Sequence, residues 1–404
     1  MRSASPLTFS WMRGAARAIR LWWASKGPGT MWIVSTTERR QWLVMEPSNS
    51  GPEALCRARV AAAGRCLPPT HLSTADLMAS MRHRTNIDLE RLTGIHERRV
   101  SDGRDDSLTL AVGAARDCLA HSGHGAEDLD AVISCSITKF HDGLVQWLEP
   151  PMSVAVANAI GSHHAVTFDV SNACAGMLTG VFILNNWIRQ GLIRRGMVVS
   201  GEYISPLERN ASAHIRSILS KELASLTLGD AGAALILERA ADDAAGIGLI
   251  GFTTIAEHSR LCLAYPASHE AGARMFTRSQ ALQRAAIKDT IPLLKEVLDA
   301  AGLAISDIDH VIPHQTSARA IRKGMAEVTR ALGGEPRRPA VETVDHFGNT
   351  ASTTHTVALI EEMEAGRVAA GDQVALVALA SGLVLGVVLF TADEELVGSY
   401  GNHD

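Results

Sequence analysis

Aromatic residues are scarce in this 404-residue sequence, and neither sign of charge is in large excess. Phe, Trp and Tyr make up 4% of it, and the formal net charge is −5. A balance that is only mildly acidic gives no support to nucleic-acid binding. No apolar run reaches the ~18 residues that a membrane-spanning helix needs, so we expect no stable membrane insertion.

Paired cysteines are missing as well. The chain has six scattered cysteines, with no CxxC pair and no zinc-ligand spacing: Cys56, Cys66, Cys118, Cys135, Cys174 and Cys262. This scatter argues against a disulfide framework and against a metal site, and it is typical of a reducing compartment. We therefore expect a cytoplasmic protein without a bound metal.

Residues 1–54 differ from the rest of the chain. They hold five of the seven tryptophans, and seven basic against three acidic side chains. One interpretation is a short basic amphipathic helix between Trp11 and Trp23 that touches a membrane surface. The interpretation we favour is an N-terminal extension that is disordered, or that precedes the true start, with Met31 or Met45 nearer to that start.

Beyond this extension the chain uses one plan twice. Residues 127–133 and 306–312 match at an offset of 179 residues, and each follows a predicted helix that ends at a glycine, Gly123 or Gly302. Predicted strands alternate with predicted helices, which indicates α/β packing. We predict two duplicated halves, residues 55–245 and 246–404.

The stretch around Cys174 is the strongest candidate for chemistry. A predicted buried strand, residues 165–170, ends just before it, and a predicted helix, residues 177–190, begins just after it. The first N–H groups of a helix have no partner within the helix, and the helix dipole there favours a thiolate. Small neighbours leave room for a substrate carbonyl. The alternative is that Cys174 is a small buried hydrophobic residue.

Three more segments in the second half follow predicted strands. His314 comes just past one strand, Asn349 lies in a glycine turn before a helix, and Ser381–Gly382 form a tight turn between two strands. A histidine can move a proton or polarise a carbonyl, and an amide can bind an oxyanion. The backbone N–H groups of Cys174 and of Ser381 or Gly382 can form a second oxyanion hole. Alternatively, His314 is a core histidine and Asn349 caps a helix.

With these motifs in hand, the chain from Arg57 onward resembles the 3-oxoacyl-ACP synthase III-like condensing enzymes of the thiolase superfamily. The segments that carry the resemblance are residues 93–99, 168–174, 228–233, 313–315 and 347–350. The resemblance implies the five-layered αβαβα thiolase fold and a dimer. It implies that Cys174 accepts the acyl group and that His314 with Asn349 binds the thioester oxygen of the second substrate. No cofactor is implied, since acyl-CoA or an acyl carrier protein brings the substrate.

One branch of that superfamily looks closer. Residues 148–150 and 222–229 resemble the acyl-CoA condensing enzymes of olefin and β-lactone biosynthesis, which join two acyl thioesters head to head without decarboxylation. In that branch a glutamate at the position of Glu149 is the proposed base and reaches the partner subunit's site. A simple acyl-CoA needs such a base because its α-proton is only weakly acidic. The alternative is a loop carboxylate placed by two prolines.

Two departures from the family patterns qualify the resemblance. The loop of residues 138–146 is longer than we expect in either group, which weakens the placing of Glu149. Thiolases proper use a second cysteine near the C-terminus where this chain has Ser381, so the thiolase reaction is disfavoured.

Arg319 matches a family arginine on the carrier-facing helix. With Arg322 and Lys323 it can meet a phosphopantetheine phosphate or an acidic carrier protein, or the three can be a solvated helix face. The function we predict is a Claisen-type condensation. Its alternatives are a decarboxylative synthase that uses a malonyl thioester, an acyltransferase to an alcohol or amine, and a non-catalytic subunit that forms a heterodimer with a sister ketosynthase.

Overall fold

The computed structural model describes residues 31–36, 40–45, 57–141, 144–241 and 245–400. Its strands, in chain order, are β1 (Met31–Thr36), β2 (Arg40–Met45), β3 (Ala58–Cys66), β4 (Thr70–Ser73), β5 (Glu97–Val100), β6 (Ala131–Ser134), β7 (Phe140–His141), β8 (Val145–Gln146), β9 (Val166–Asp169), β10 (Arg195–Glu202), β11 (Ala231–Arg239), β12 (Gly246–Thr254), β13 (Cys262–Pro266), β14 (Ala273–Thr277), β15 (His310–Pro313), β16 (Gln373–Ala380) and β17 (Val384–Thr391).

The α-helices of the described ranges are α1 (Thr74–Ser80), α2 (Leu89–Thr93), α3 (Ser107–Ala120), α4 (Met152–Ile160), α5 (Gly176–Arg189), α6 (Ser205–His214), α7 (Ser279–Ala301), α8 (Ala318–Leu332), α9 (Val344–Phe347), α10 (Thr354–Glu364) and α11 (Glu394–Gly398). The sequence predicts correctly where four helices and one turn lie: α3, α5, α8 and α10, and the turn between β16 and β17. No helix in these ranges is both long and apolar enough to cross a bilayer.

Two mixed sheets form the framework. The first has the strand order β3-β11-β10-β6-β9, and the second has the order β1-β2-β12-β17-β16-β15. Both sheets have a parallel pair at the equivalent place, β6 with β10 and β15 with β16, and in the first sheet β6 is also parallel to β9. The hairpin β1–β2 belongs to the segment that we interpret as an N-terminal extension, and it pairs with β12. The other residues of that segment lie outside the described ranges.

Helices and sheets stack in five layers, as the resemblance implies. Helices α3 and α4 cover the outer face of the first sheet, and α7 packs on β12 and β17 of the second sheet with α8 beside it. Helices α5 and α10 lie between the sheets, within a buried apolar cluster drawn from both sheets. Separate apolar clusters fill the two outer layers. The fold therefore buries the front of α5, where Cys174 lies, in its middle layer.

The duplication extends to individual hydrogen bonds. Asp130 precedes β6, and its side chain accepts from the backbone N–H of Arg195 at 2.9 Å. Asp309 precedes β15, and its side chain accepts from the backbone N–H of Gln373 at 2.9 Å. Each bond ties the start of one parallel strand to the start of its neighbour. The two halves therefore hold their parallel pairs in register by the same device.

Candidate active site

Cys174 lies in a 3₁₀ turn, Ala173–Ala175, between β9 and the front of α5. Ala173 has a φ of 46°, in the left-handed region that costs an L-residue about 1 kcal/mol or more. Behind the turn, a Cβ added to Gly176 would lie 2.9 Å from the carbonyl oxygen of Cys135. The turn is therefore pressed against the end of β6, and this close packing fixes where the sulfur sits.

The environment of the Cys174 sulfur favours the thiol. Burial raises the pKa of the Cys174 thiol, and the nearby Cys262 and Glu202 raise it further. This effect opposes the helix dipole, from which we expect a thiolate. Cys174 must lose a proton as it attacks.

His314 stands just past β15 with its backbone fixed. Its N–H donates to the carbonyl of Val377 at 2.9 Å, and its ring is buried. The Nδ1 atom has no hydrogen-bond partner within the described residues. Burial lowers the pKa of His314 to about 3, and the nearby His355 adds to this effect. The ring is therefore neutral at pH 7, and it can accept a proton at one nitrogen and donate a hydrogen bond from the other.

His355 is a second buried histidine that the sequence reading missed. Its ring centroid lies 5.9 Å from that of His314. Its Nε2 lies 3.1 Å from the carbonyl oxygen of Val377, so Nε2 carries the hydrogen and donates it. Burial lowers the pKa of His355 to about 4. The chain thus keeps two neutral imidazoles next to each other.

The backbone N–H and the backbone carbonyl of Asn349 are both hydrogen-bonded. Its N–H donates to the carbonyl of Thr227 at 2.8 Å, and its carbonyl accepts from Gly229 at 3.1 Å. The side-chain Oδ1 accepts from the backbone N–H of Ala351 at 3.0 Å, which fixes the orientation of the amide. The amide Nδ2 is then the side-chain atom left to donate. A donor fixed in this way suits an oxyanion site.

These groups share one cavity of about 480 Å³. Cys174, His314, Asn349 and Ser381 all line it, and most of the remaining wall is apolar. Gly382 is not among the described residues of the wall. The structure therefore brings the predicted nucleophile, imidazole and amide to one site, as the sequence reading requires. The oxyanion role of the Cys174, Ser381 and Gly382 backbone stays a prediction.

Glu202, at the end of β10, is another part of the site that the sequence reading missed. Its buried carboxylate accepts from the backbone N–H groups of Ile137 at 2.9 Å and Thr138 at 3.1 Å. It also accepts from the hydroxyl of Ser352, which lies three residues after Asn349. Burial raises the pKa of Glu202, and these donors oppose the rise. Glu202 thus connects the cavity wall at Ile137 to the turn that carries Asn349.

The other predicted residues lie outside this cavity. Glu149 is exposed, on a loop that is tied to the end of β9 because the Asp169 carboxylate accepts from the N–H groups of Met152 and Ser153. Among the basic residues of α8, Arg319 and Lys323 are exposed and Arg322 is paired with Glu342 at 2.8 Å. Neither group lines the cavity at Cys174 in its own chain.

Comparisons with known proteins agree with this geometry. Residues 168–257 match the family "3-Oxoacyl-[acyl-carrier-protein (ACP)] synthase III", and residues 298–392 match its C-terminal family. The chain is 29% identical to a beta-ketoacyl-[acyl-carrier-protein] synthase III from Symbiobacterium thermophilum, over 79% of this chain and 97% of that protein. A synthase of the same name from Bacillus anthracis is 27% identical over 75% of this chain and 93% of its own length.

Solved structures give the same answer for the fold. A glutamate-to-alanine variant of OleA from Xanthomonas campestris aligns with a TM-score of 0.71 at 25% identity, over 84% of this chain and 99% of that one. The 3-oxoacyl-[acyl-carrier-protein] synthase III of Aquifex aeolicus aligns with a TM-score of 0.70 at 23% identity, over 83% of this chain and 100% of that one. OleA has also been solved with bound lauric acid and lauroyl-CoA, at 24% identity and a TM-score of 0.72 over 84% of this chain and 100% of that one. In sequence and in fold, this chain is thus similar to the 3-oxoacyl-ACP synthase III-like condensing enzymes of the thiolase superfamily.

Proposed function

We propose that the protein joins two acyl thioesters by a Claisen-type condensation, without decarboxylation, to give a β-ketoacyl thioester. The observation that carries the proposal is the single apolar cavity that exposes Cys174, His314 and Asn349 together. An apolar wall suits hydrocarbon chains, and three polar groups at one place suit a thioester carbonyl. OleA, a structural neighbour, binds lauroyl-CoA, which supports acyl-CoA as the substrate class.

The first step loads the enzyme. The sulfur of Cys174 attacks the thioester carbonyl carbon, the bond from that carbon to the CoA sulfur breaks, and CoA leaves. The proton of Cys174 passes to the neutral His314 and from there to the departing CoA sulfur, so the step is balanced. A depressed imidazole pKa makes His314 a transient carrier of this proton rather than a standing cation.

The second step needs a base for the α-proton of the second acyl thioester. We assign this role to Glu149 of the partner subunit in a homodimer. Glu149 is exposed in its own chain, and so are the neighbouring apolar side chains Val145 and Leu148, at 64% and 79%. The outer edge of β9 is unpaired within the described residues. A second copy paired along this edge would cover the apolar side chains and bring Glu149 toward the other cavity.

The carbanion formed in this way attacks the carbonyl carbon of the acyl-cysteine. The bond from that carbon to Cys174 breaks, the proton that Glu149 took from the second substrate returns to the sulfur, and the β-ketoacyl thioester is released. The His314 imidazole and the Asn349 amide hold the thioester oxygen of the second substrate, where negative charge develops. Arg319, Arg322 and Lys323 of α8 are proposed to meet the phosphates of CoA or an acidic carrier protein.

Mass spectrometry tests this proposal. The protein incubated with lauroyl-CoA alone is expected to gain one acyl group on Cys174 and to produce a β-ketoacyl-CoA. Cys174→Ala should do neither, and Cys262→Ser is the matched control in the same cavity. If malonyl thioester is required and CO₂ is released, the decarboxylative reaction that the relatives' name describes replaces the proposed one. If no adduct forms at all, a non-catalytic subunit is the remaining function.

A further inference from the structure

His355 connects the two elements that carry His314 and Asn349. It lies in the first turn of α10, six residues after Asn349, and its Nε2–H donates to the carbonyl oxygen of Val377 at 3.1 Å. The same oxygen accepts the backbone N–H of His314 at 2.9 Å. The two histidines therefore share one acceptor, and Val377 itself lines the cavity at Cys174.

Stability alone does not account for a histidine at position 355. The side chain is 1% exposed, and its Nδ1 atom has no hydrogen-bond partner within the described residues. A buried polar atom without a partner lowers stability. Without His355, the carbonyl of Val377 would still accept one hydrogen bond, from His314. A buried apolar side chain would therefore fill the same place at less cost, and the imidazole needs another reason.

The Nδ1 atoms of His314 and His355 are both buried and both without a hydrogen-bond partner within the described residues. The two ring centroids lie 5.9 Å apart. A direct bond of about 3 Å between two nitrogens would need centroids within roughly 5.4 Å, since each nitrogen lies about 1.2 Å from its ring centre. The longer spacing suits one bridging water molecule, because buried water bonds polar groups that have no other partner. Since Nε2 of His355 carries the hydrogen, its Nδ1 is an acceptor for that water.

We propose that His355 is a positioning residue for His314, and that one buried water molecule joins their Nδ1 atoms. The inference rests on the proposed function, in which His314 accepts the Cys174 proton during loading and holds the thioester oxygen during condensation. The water donates one hydrogen to His355, and it can either accept a hydrogen from Nδ1 of His314 or donate its second one. The His314 ring therefore keeps one orientation in both steps, with Nε2 toward the cavity.

Two substitutions separate this role from a purely structural one. The amide oxygen of His355→Asn can take the place of Nδ1 but the side chain cannot reach Val377, whereas the amide N–H of His355→Gln can reach Val377 but leaves no acceptor at the place of Nδ1. At saturating lauroyl-CoA, His355→Gln should lower the rate of acyl-cysteine formation about tenfold, the value of one hydrogen bond, with the half-saturating concentration unchanged. His355→Asn should keep most of the wild-type rate. The matched control is His310→Gln, which should act as wild type; His310 is a buried histidine at the start of β15 that pairs with Asp372 at 2.9 Å.

The reverse order of rates, with His355→Gln active and His355→Asn impaired, would show that only the bond to Val377 matters and would overturn the inference. Equal rates in wild type and both variants, or equal losses in both variants, would overturn it as well.

A crystal structure of the wild-type protein tests the bridge without turnover. It should show one water molecule about 2.7–3.2 Å from both Nδ1 atoms, and two rings with no water between them would refute the bridge. If wild type forms no acyl-cysteine from any acyl-CoA, the proposed function fails, whereas the crystal structure decides the bridge independently of that result.

Discussion

Glu149 offers the sharpest test of the proposed reaction, because it lies outside the cavity of its own chain. If it acts in the partner's cavity, two inactive variants should restore each other. A Cys174→Ala subunit still presents Glu149, and a Glu149→Gln subunit still presents Cys174. In a mixed dimer the second subunit's cavity then has both groups, and the first subunit's cavity has neither.

The size of the recovery follows from the symmetry of a dimer. Random mixing of equal amounts makes about half of the dimers mixed, and each mixed dimer has one working cavity of two, so about a quarter of wild-type activity should return. The assay is β-ketoacyl-CoA formation from lauroyl-CoA, after the two variants are mixed under conditions that exchange subunits. Native mass spectrometry reports the fraction of mixed dimers.

The controls define what would refute this reasoning. Glu149→Gln alone should still form the acyl-cysteine but yield no condensation product, and Glu335→Gln, an exposed glutamate elsewhere, should act as wild type. Mixed dimers that form without any recovered activity would show that Glu149 is not supplied across the interface. Full condensation by Glu149→Gln alone would remove it from the chemistry altogether.

Three further predictions concern polar groups in and beside the cavity. The pKa of His314 is lowered to about 3, so below pH 6.5 this histidine takes up a proton when the protein unfolds. The free energy of unfolding, measured in urea, should therefore fall by about 2 kcal/mol for this histidine between pH 7 and pH 5. The fall should be smaller in His314→Asn. The rate of acyl-cysteine formation should show no inflection near pH 6.5, and one there would contradict a neutral His314. Asn349→Ala should lower condensation by about 10²–10³-fold, measured as kcat, while acyl-cysteine formation persists; equal loss of both steps would place the amide elsewhere. Glu202→Gln should lower the free energy of unfolding in urea by about 1–3 kcal/mol. It should also quicken the alkylation of Cys174 at fixed pH, because a nearby negative charge is removed. An unchanged alkylation rate would contradict the placement of Glu202 near the sulfur.

The sequence was informative wherever local pattern decides structure. Gly302, with a φ of 70°, caps α7 where the repeat predicts a helix end. The equivalent helix α3 ends earlier than predicted, at Ala120, and Gly123 with a φ of 66° lies in the turn that follows it. The strand before Cys174 and the helix after it stand where apolar residues and the small residues of the turn predict them. The prediction that this strand is buried is wrong, since β9 lies at the edge of its sheet and Val166 is 56% exposed. Such features depend on neighbours in the chain, and one sequence contains all of them.

The misses have a different physical origin. The protonation of Cys174 is set by burial, which depends on elements far away in the chain, so a helix-dipole argument pointed the wrong way. One feature of the sequence points to Glu202, namely a carboxylate at the end of an apolar strand. A carboxylate that is buried there needs hydrogen-bond partners. Its partners Ile137 and Ser352 come from other parts of the chain. The cavity at Cys174 lies between elements that are far apart in the chain, so no local residue pattern predicts its shape.

The duplication explains why the site needs both halves. Met177 in α5 and Thr356 in α10 are 179 residues apart, the offset of the repeat, and the Thr356 hydroxyl lies 3.9 Å from the Met177 sulfur. Equivalent residues that touch must lie beside the axis that relates the two halves. The turns in front of these helices begin at Ala173 and Ala351, both with positive φ, and the turns pack against each other. The turn that begins at Ala173 carries the sulfur of Cys174, and the turn that begins at Ala351 follows the amide of Asn349. The axis passes between the two turns, so the repeated framework brings two different groups together. Neither half alone contains both the Cys174 nucleophile and the Asn349 amide.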